Sequence, residues 1–210
     1  MEYSHKDHDI HSKKKLWCAT RGRITYNSNN NLSIERSKMK VCYEGKFLKF
    51  LDNEGWEWVE RNNCRTVAVI LPILYGDKTI FVEQYRKPVS CPVIEFPAGL
   101  VGDGEDFMEN IKEAARRELI EETGYDSGKI SFVAKGPASA GLSNELMEIF
   151  VAEELTKVGE GGGVDGEDII VHVIDLNGVD DWLRDQEKSG KLIDLKIWAG
   201  LRIIDQTLKA

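Results

Sequence analysis

The run Arg117-Glu118-Leu119-Ile120-Glu121-Glu122-Thr123-Gly124 sets three carboxylates and one guanidinium at helical spacing, and no other stretch constrains this chain as much. With about 100° between successive residues, Glu118 and Glu122 lie one turn apart on one side of a helix, with Glu121 close beside them. The same strip runs back through Ala114, Ala115, Ile111 and Met108, whereas Glu109, Lys112, Glu113 and Arg116 fall toward the opposite side. The acids therefore share the edge that the helix is expected to bury. Like charges at i, i+4 repel, and carboxylates drawn toward an apolar surface are costly unless cations neutralise them. Arg117 cannot balance three acids alone. Hard divalent cations such as Mg2+ or Mn2+ accept an all-oxygen ligand set and also bind phosphate oxygens. The spacing thus points to a divalent metal and a phosphorylated substrate. A solvated face laced with i, i+4 ion pairs is the alternative for such residues, and the apolar strip at the same angle weighs against it.

The remaining periodicity reads as an α/β chain. Thr66 to Leu74 and Thr79 to Gln84, rich in Val, Ile and Leu, are predicted central strands joined in a hairpin at Gly76-Asp77. Upstream, Arg23 to Tyr26, Met39 to Tyr43, Lys46 to Leu51 and Trp56 to Val59 read as short strands, broken at Asn27 to Asn31 and at Asp52-Asn53-Glu54-Gly55. Asp106-Phe107-Met108-Glu109 has the form of an N-cap followed by an acid, so the acidic helix is expected to begin near Phe107 and to end at Gly124. Ile130 to Ala134, Glu145 to Val151 and Ile169 to Ile174 are further strands, and helices over Val179 to Lys188 and Ile193 to Leu208 follow. Helices on both sides of a sheet are the expected layering.

At 210 residues, 41% hydrophobic, the chain can bury one sizeable core, and a net charge of −8 argues against nonspecific nucleic-acid binding. Cys18, Cys42, Cys64 and Cys91 lack Cys-x2-Cys spacing and read as reduced packing thiols of a cytoplasmic protein. No apolar run approaches the ~20 residues that would cross a membrane. Residues 1 to 15 carry His5, His8 and His11 among polar neighbours. A metal site is imaginable at that spacing, but a disordered lead is the simpler reading. Residues 16–62 are expected to form a small N-terminal β region and 63–210 the main domain.

Glu95-Phe96-Pro97-Ala98-Gly99-Leu100 through Gly124-Tyr125 resembles the Nudix box, Gly-x5-Glu-x7-Arg-Glu-U-x-Glu-Glu-x-Gly-U with U a bulky aliphatic residue. The Glu-Phe-Pro-Ala-Gly lead-in resembles the branch that hydrolyses ADP-ribose and related nucleotide sugars. That resemblance implies an α/β/α Nudix sandwich with a mixed central sheet, preceded by a small antiparallel β region through which such enzymes form homodimers. Five residues separate Gly99 from Glu105, as in the family, but eleven rather than seven separate Glu105 from Arg117. Four extra residues are close to one turn, so the expectation is a helix lengthened at its N-terminus with its catalytic end in phase. Glu109 restores the seven-residue spacing but is expected to project away from the acidic strip, which leaves Glu105 as the early box acid.

The resemblance also implies roles. Glu118 and Glu122, with Glu121 assisting and the Ala98 carbonyl completing the set, would bind two or more Mg2+ ions, with Mn2+ as a substitute, and Arg117 would hold the acids. Gly99, in a Pro-Ala-Gly turn, would let the chain approach closely. Arg86, in Gln84-Tyr85-Arg86, resembles a phosphate clamp, with a surface salt bridge as the alternative. Trp56-Glu57-Trp58-Val59-Glu60-Arg61 resembles an adenine-holding stretch in which Trp56 stacks while Glu57 and Arg61 make polar contacts; an ordinary amphipathic strand fits the same letters. The mobile acidic loop Gly159 to Asp168 would carry the catalytic base, aligned best with Glu167, with Asp165, Asp168 and Glu160 open and a plain flexible linker as the alternative. Metal-activated water would then cut the diphosphate of ADP-ribose into AMP and ribose 5-phosphate. GDP-mannose, ADP-glucose or a dinucleotide remain rival substrates, and a non-catalytic nucleotide-sugar sensor the rival class.

Overall fold

The computed structural model describes residues 23–26, 32–35, 39–102, 108–164 and 166–209. The expected lead at 1–15, the break at 27–31, Cys18, Glu105 and Asp165 lie outside them. The chain divides into two compact units, Met1–Glu60 and Arg61–Ala210.

In the first unit, β1 (Arg23–Tyr26) pairs antiparallel with β2 (Leu32–Glu35), a strand not anticipated from the sequence. β3 (Lys40–Glu44), β4 (Leu48–Asn53) and β5 (Trp56–Arg61) form a three-stranded sheet in that order, β5 ending one residue into the second unit. Glu54 and Gly55 both take positive φ, 55° and 86°, and the Gly55 N–H donates to Asp52 Oδ1 at 2.8 Å, which closes the tight β4–β5 turn.

In the second unit, β6 (Thr66–Leu74) supplies two buried faces at once. Ala68, Ile70 and Leu74 join one apolar cluster while Val69, Leu71 and Ile73 join another, the period-two alternation of a strand covered on both sides. β7 (Lys78–Arg86) leads through a short 3-10 turn (Lys87–Val89) to β8 (Cys91–Glu95) and β9 (Ala98–Val101). Then come α1 (Ile111–Thr123), β10 (Tyr125–Pro137), β11 (Leu146–Lys157), β12 (Ile169–Asp175), α2 (Val179–Lys188), β13 (Leu192–Ile193) and α3 (Lys196–Leu208).

The strands form a mixed eight-stranded sheet ordered β10-β11-β6-β7-β8-β13, with β9 added on β6 and β12 on β7. β11 runs parallel to β6 and β13 parallel to β8; the other pairs are antiparallel. Ala114, Ala115 and Leu119 of α1 pack in one cluster, and Leu183 of α2 with Ile197 and Ile204 of α3 pack in the other. Helices therefore cover both faces. β6 changes partner along its length, pairing with β9 from Thr66 to Val69 and with β7 at Ile73 and Leu74. Pro72, which has no N–H for a ladder, sits where the partner changes. Among the described residues no helix is long and apolar enough to cross a membrane.

Several expectations are corrected. Helix α1 begins at Ile111, not near Phe107: Asn110 is the N-cap, its side chain accepting from the Lys112 N–H at 2.9 Å. Met108 lies outside the helix and is 73% exposed, so it is not part of the buried strip. The added residues thus lie in the segment before the helix and do not extend it. Ala98 and Gly99 open a strand instead of forming a turn. The last helix starts at Lys196, whose N–H donates to Asp194 Oδ1 at 2.8 Å, while Leu192 and Ile193 pair with β8. β10 and β11 extend well beyond the expected 130–134 and 145–151 because they pair with each other along almost their whole length.

Candidate active site

Strand β9 and helix α1 pack so closely that Glu118 lies against the bare Cα of Gly99. A Cβ there would stand 1.8 Å from the Glu118 carboxyl carbon and 2.2 Å from each oxygen. One turn on, Glu122 is 7% exposed, and its Oε2 accepts the Ala98 N–H at 3.0 Å. Burial pushes the Glu122 carboxyl up to about 8; the Ala98 amide opposes this, the charges of Glu118 and Glu167 add to it, and Arg86 opposes it. Glu118 and Glu122 face inward, as their spacing requires, and Glu121 is half-buried beside them.

Arg117 fans across its neighbours. Nη1 donates to Glu118 Oε1 at 2.8 Å and to Glu121 Oε2 at 3.1 Å, while Nε and Nη2 reach Glu109 at 3.1 and 3.3 Å. Glu109 leads the causes that raise the Arg117 pKa above its ordinary value. The expectation that Glu109 points away from the acids is therefore corrected. It takes the place that seven-residue spacing assigns to the box acid, and it can do so because the helix starts two residues later, at Ile111. Glu105 lies outside the described residues.

Arg86, at the end of β7, is bonded by both Nε and Nη2 to Glu95 of β8, Nε lying 3.1 and 3.2 Å from the two carboxylate oxygens. Its charge also acts on Glu122 and Glu167. The sequence alone assigns Glu95 no task. The signal was its register opposite Val82, four residues along the ladder from the Arg86–Cys91 pair, which is invisible before the strands are paired. Of the described base candidates Glu160, Glu167 and Asp168, Glu167 is the one whose charge acts on both Glu122 and Arg86. Its exposed carboxylate accepts the Val164 N–H at 3.2 Å.

The structure thus gathers Arg86, Ala98, Gly99, Arg117, Glu118, Glu121, Glu122 and Glu167. Trp56 and Glu57 belong to the first unit, where Trp56 is 68% exposed. Arg61 opens the second unit and donates through Nε to Glu145 Oε1 at 2.5 Å.

Among the described residues, no group of three or more His, Cys, Asp and Glu is placed to hold a metal ion by itself. The fit to a divalent cation rests on charge and donor type. Glu118, Glu121 and Glu122 offer carboxylate oxygens, and the buried Glu122 is held by one backbone amide while like charges press on it. A hard dication that keeps part of its water shell suits such an open oxygen set.

Residues 65–189 match the NUDIX domain family. The chain is 36% identical over 109 residues to a methanol dehydrogenase activator of Bacillus methanolicus and, with the same figures, to an ADP-ribose pyrophosphatase of Bacillus subtilis (strain 168). Each match covers 52% of this chain and 56% of the relative, so the chain spans little more than half the length of these relatives. A solved ADP compounds hydrolase superposes with a TM-score of 0.63 at 22% identity, over 82% of this chain and 92% of that one, a likeness of fold.

Proposed function

Because the chain belongs to the NUDIX family, we propose that it hydrolyses the diphosphate bond of a nucleoside diphosphate sugar with the help of divalent metal ions, ADP-ribose giving AMP and ribose 5-phosphate being the best fit. The observation that carries this reading is the packing of Glu118 on Gly99 and Glu122 on the Ala98 amide, which concentrates carboxylates on the face of one strand. The ADP-ribose pyrophosphatase name of one relative supports the substrate class.

Glu118, Glu122 and the Ala98 carbonyl, with Glu121 assisting, would hold Mg2+, or Mn2+ in its stead. When bound, the metal would neutralise phosphoryl charge and acidify water. Arg117 keeps Glu118 and Glu121 in place through its forked bonds. Arg86, oriented by Glu95, presents its guanidinium to phosphate oxygens. Glu167 takes the proton of the attacking water. Trp56, Glu57 and Arg61 would serve the base. The working form in this proposal is a cytoplasmic homodimer, supported by the free thiols of Cys42 and Cys91 and by the exposed apolar side chains Val41, Tyr43, Phe47 and Trp56 of the first unit.

The test is a panel of ADP-ribose, ADP-glucose, GDP-mannose and a dinucleotide, each assayed for kcat/KM with Mg2+ and with EDTA. ADP-ribose should lead and chelation should stop turnover. Binding without turnover on every substrate would identify a sensor, and turnover indifferent to EDTA would remove the metal from the reading.

A further inference from the structure

The last carbonyls of an α-helix have no partner within it and must find donors elsewhere. In α1 each is accounted for, and most of the donors come from the loop that follows β11. Gly124 N–H donates to Ile120 O at 2.8 Å, closing the helix with Gly124 left-handed at φ 72°. Gly163 N–H donates to Glu121 O at 3.0 Å and Gly162 N–H to Glu122 O at 2.9 Å. Lys157 Nζ donates to Thr123 O at 3.2 Å, and Val158 and Gly159 N–H reach Gly124 O at 2.8 and 3.0 Å. The loop carrying Glu167 is thus seated on the two residues whose carboxylates stand at the centre of the site.

Glycine is required for this seating. Gly161 has φ +74°, and a Cβ there would lie 2.4 Å from the Thr123 carbonyl carbon and 2.7 Å from Glu122 O. Gly162 has φ +103°, a conformation that other residues rarely adopt. Its amide holds Glu122 O while its carbonyl accepts the Ile169 N–H at 3.3 Å, two residues beyond Glu167. Lys157 adds a second hold: its ammonium also donates to Glu160 O at 3.4 Å and lies 4.7 Å from the centroid of the Tyr125 ring, a positive charge at the negative end of the helix.

We propose that Lys157 and the run Gly161–Gly163 form a latch that positions Glu167 by tying its loop to the carbonyls of Glu121, Glu122 and Thr123. Lys157 is a positioning residue and touches no substrate in this arrangement. The proposal rests on Glu167 being the base. Its consequence is that distance between base and acids is set by backbone bonds, so loosening the latch impairs proton transfer more than substrate binding.

The experiment compares Lys157→Met, Lys157→Arg, Gly161→Ala and Glu167→Gln. Lys157→Met should lower kcat roughly tenfold to a hundredfold, as loss of alignment does, with KM changed less than about twofold. The acidic limb of its kcat–pH profile should shift, and Lys157→Arg should restore most of the rate. Deuterium exchange of residues 159–169 in the metal-free protein should quicken in Lys157→Met and Gly161→Ala, a readout independent of turnover. If Gly161→Ala does not fold, Lys157→Met carries the test alone. Wild-type kcat, pH profile and exchange in Lys157→Met, with Glu167→Gln inactive, would overturn the latch and leave the base in place. Wild-type turnover in Glu167→Gln would instead overturn the reading on which the latch depends.

Discussion

Arg117 and Glu109 are joined twice, Nε to Oε1 at 3.1 Å and Nη2 to Oε2 at 3.3 Å, across the first two turns of the acidic helix. The same guanidinium holds Glu118 and Glu121, so Glu109 fixes the fork from which two site carboxylates hang. Lysine has the charge but not the fork. Arg117→Lys is expected to lower kcat/KM about tenfold and Glu109→Gln several-fold, with strong non-additivity in the double variant. Glu105→Gln decides between the two candidates: a smaller loss there than in Glu109→Gln would make Glu109 the box acid, and a larger one would make it Glu105.

Gly99→Ala puts a methyl group into the space of the Glu118 carboxyl. The carboxylate must move, and displacement on the order of 1 Å costs about a hundredfold in rate. Turnover should fall by that order while the melting temperature changes little, because Glu118 lies at the edge of the core. Steady-state kinetics beside thermal unfolding checks both halves.

Glu122→Gln keeps the shape of a carboxyl group that burial already pushes toward its neutral form. Without metal the variant should unfold close to the wild-type temperature. Millimolar Mg2+ should raise the melting temperature of the wild type and not that of the variant, since a ligand stabilises the fold it binds. Activity should fall by at least a hundredfold. An equal Mg2+ shift in both proteins would exclude Glu122 as a ligand.

On the other face of the sheet, Glu83 is 8% exposed, and its Oε2 accepts from Lys191 Nζ at 2.7 Å and lies 2.8 Å from His172 Nε2. Burial pushes its carboxyl up, but the bonds to Lys191 and His172 outweigh that and leave it below the ordinary 4.5. A group whose folded-state pKa is depressed stabilises the fold above its unfolded pKa, and the contribution is lost as pH falls through the folded value. Glu83→Gln should therefore be less stable than wild type by about 1–3 kcal/mol at neutral pH. In urea titrations the gap should narrow once the pH drops below 4.5. A gap of constant size would assign the loss to packing.

Much of this protein is written in local order. The limits of Thr66–Leu74 and Val179–Lys188, the closing Gly124 and the inward turn of Glu118 and Glu122 follow from side-chain period and one backbone preference, each a property of a few consecutive residues. β8 and β9 show no such signal. Their segments contain Pro92 and Gly99, and they are strands because β7 and β6 pair with them.

Where two local signals compete, distance along the chain decides. Asp106 and Asn110 are both competent N-caps, and both Glu105 and Glu109 satisfy part of the box spacing. The choice of Asn110 brings Glu109 within reach of Arg117. The glycine run near Glu167 reads as a mobile linker until its amides are found on the carbonyls of Glu121 and Glu122, some forty positions earlier in the chain. Side-chain period and caps are short-range and can be read from neighbours. The partners of a buried carboxylate or an orphan carbonyl come from wherever the fold returns the chain, and that depends on packing the whole sheet.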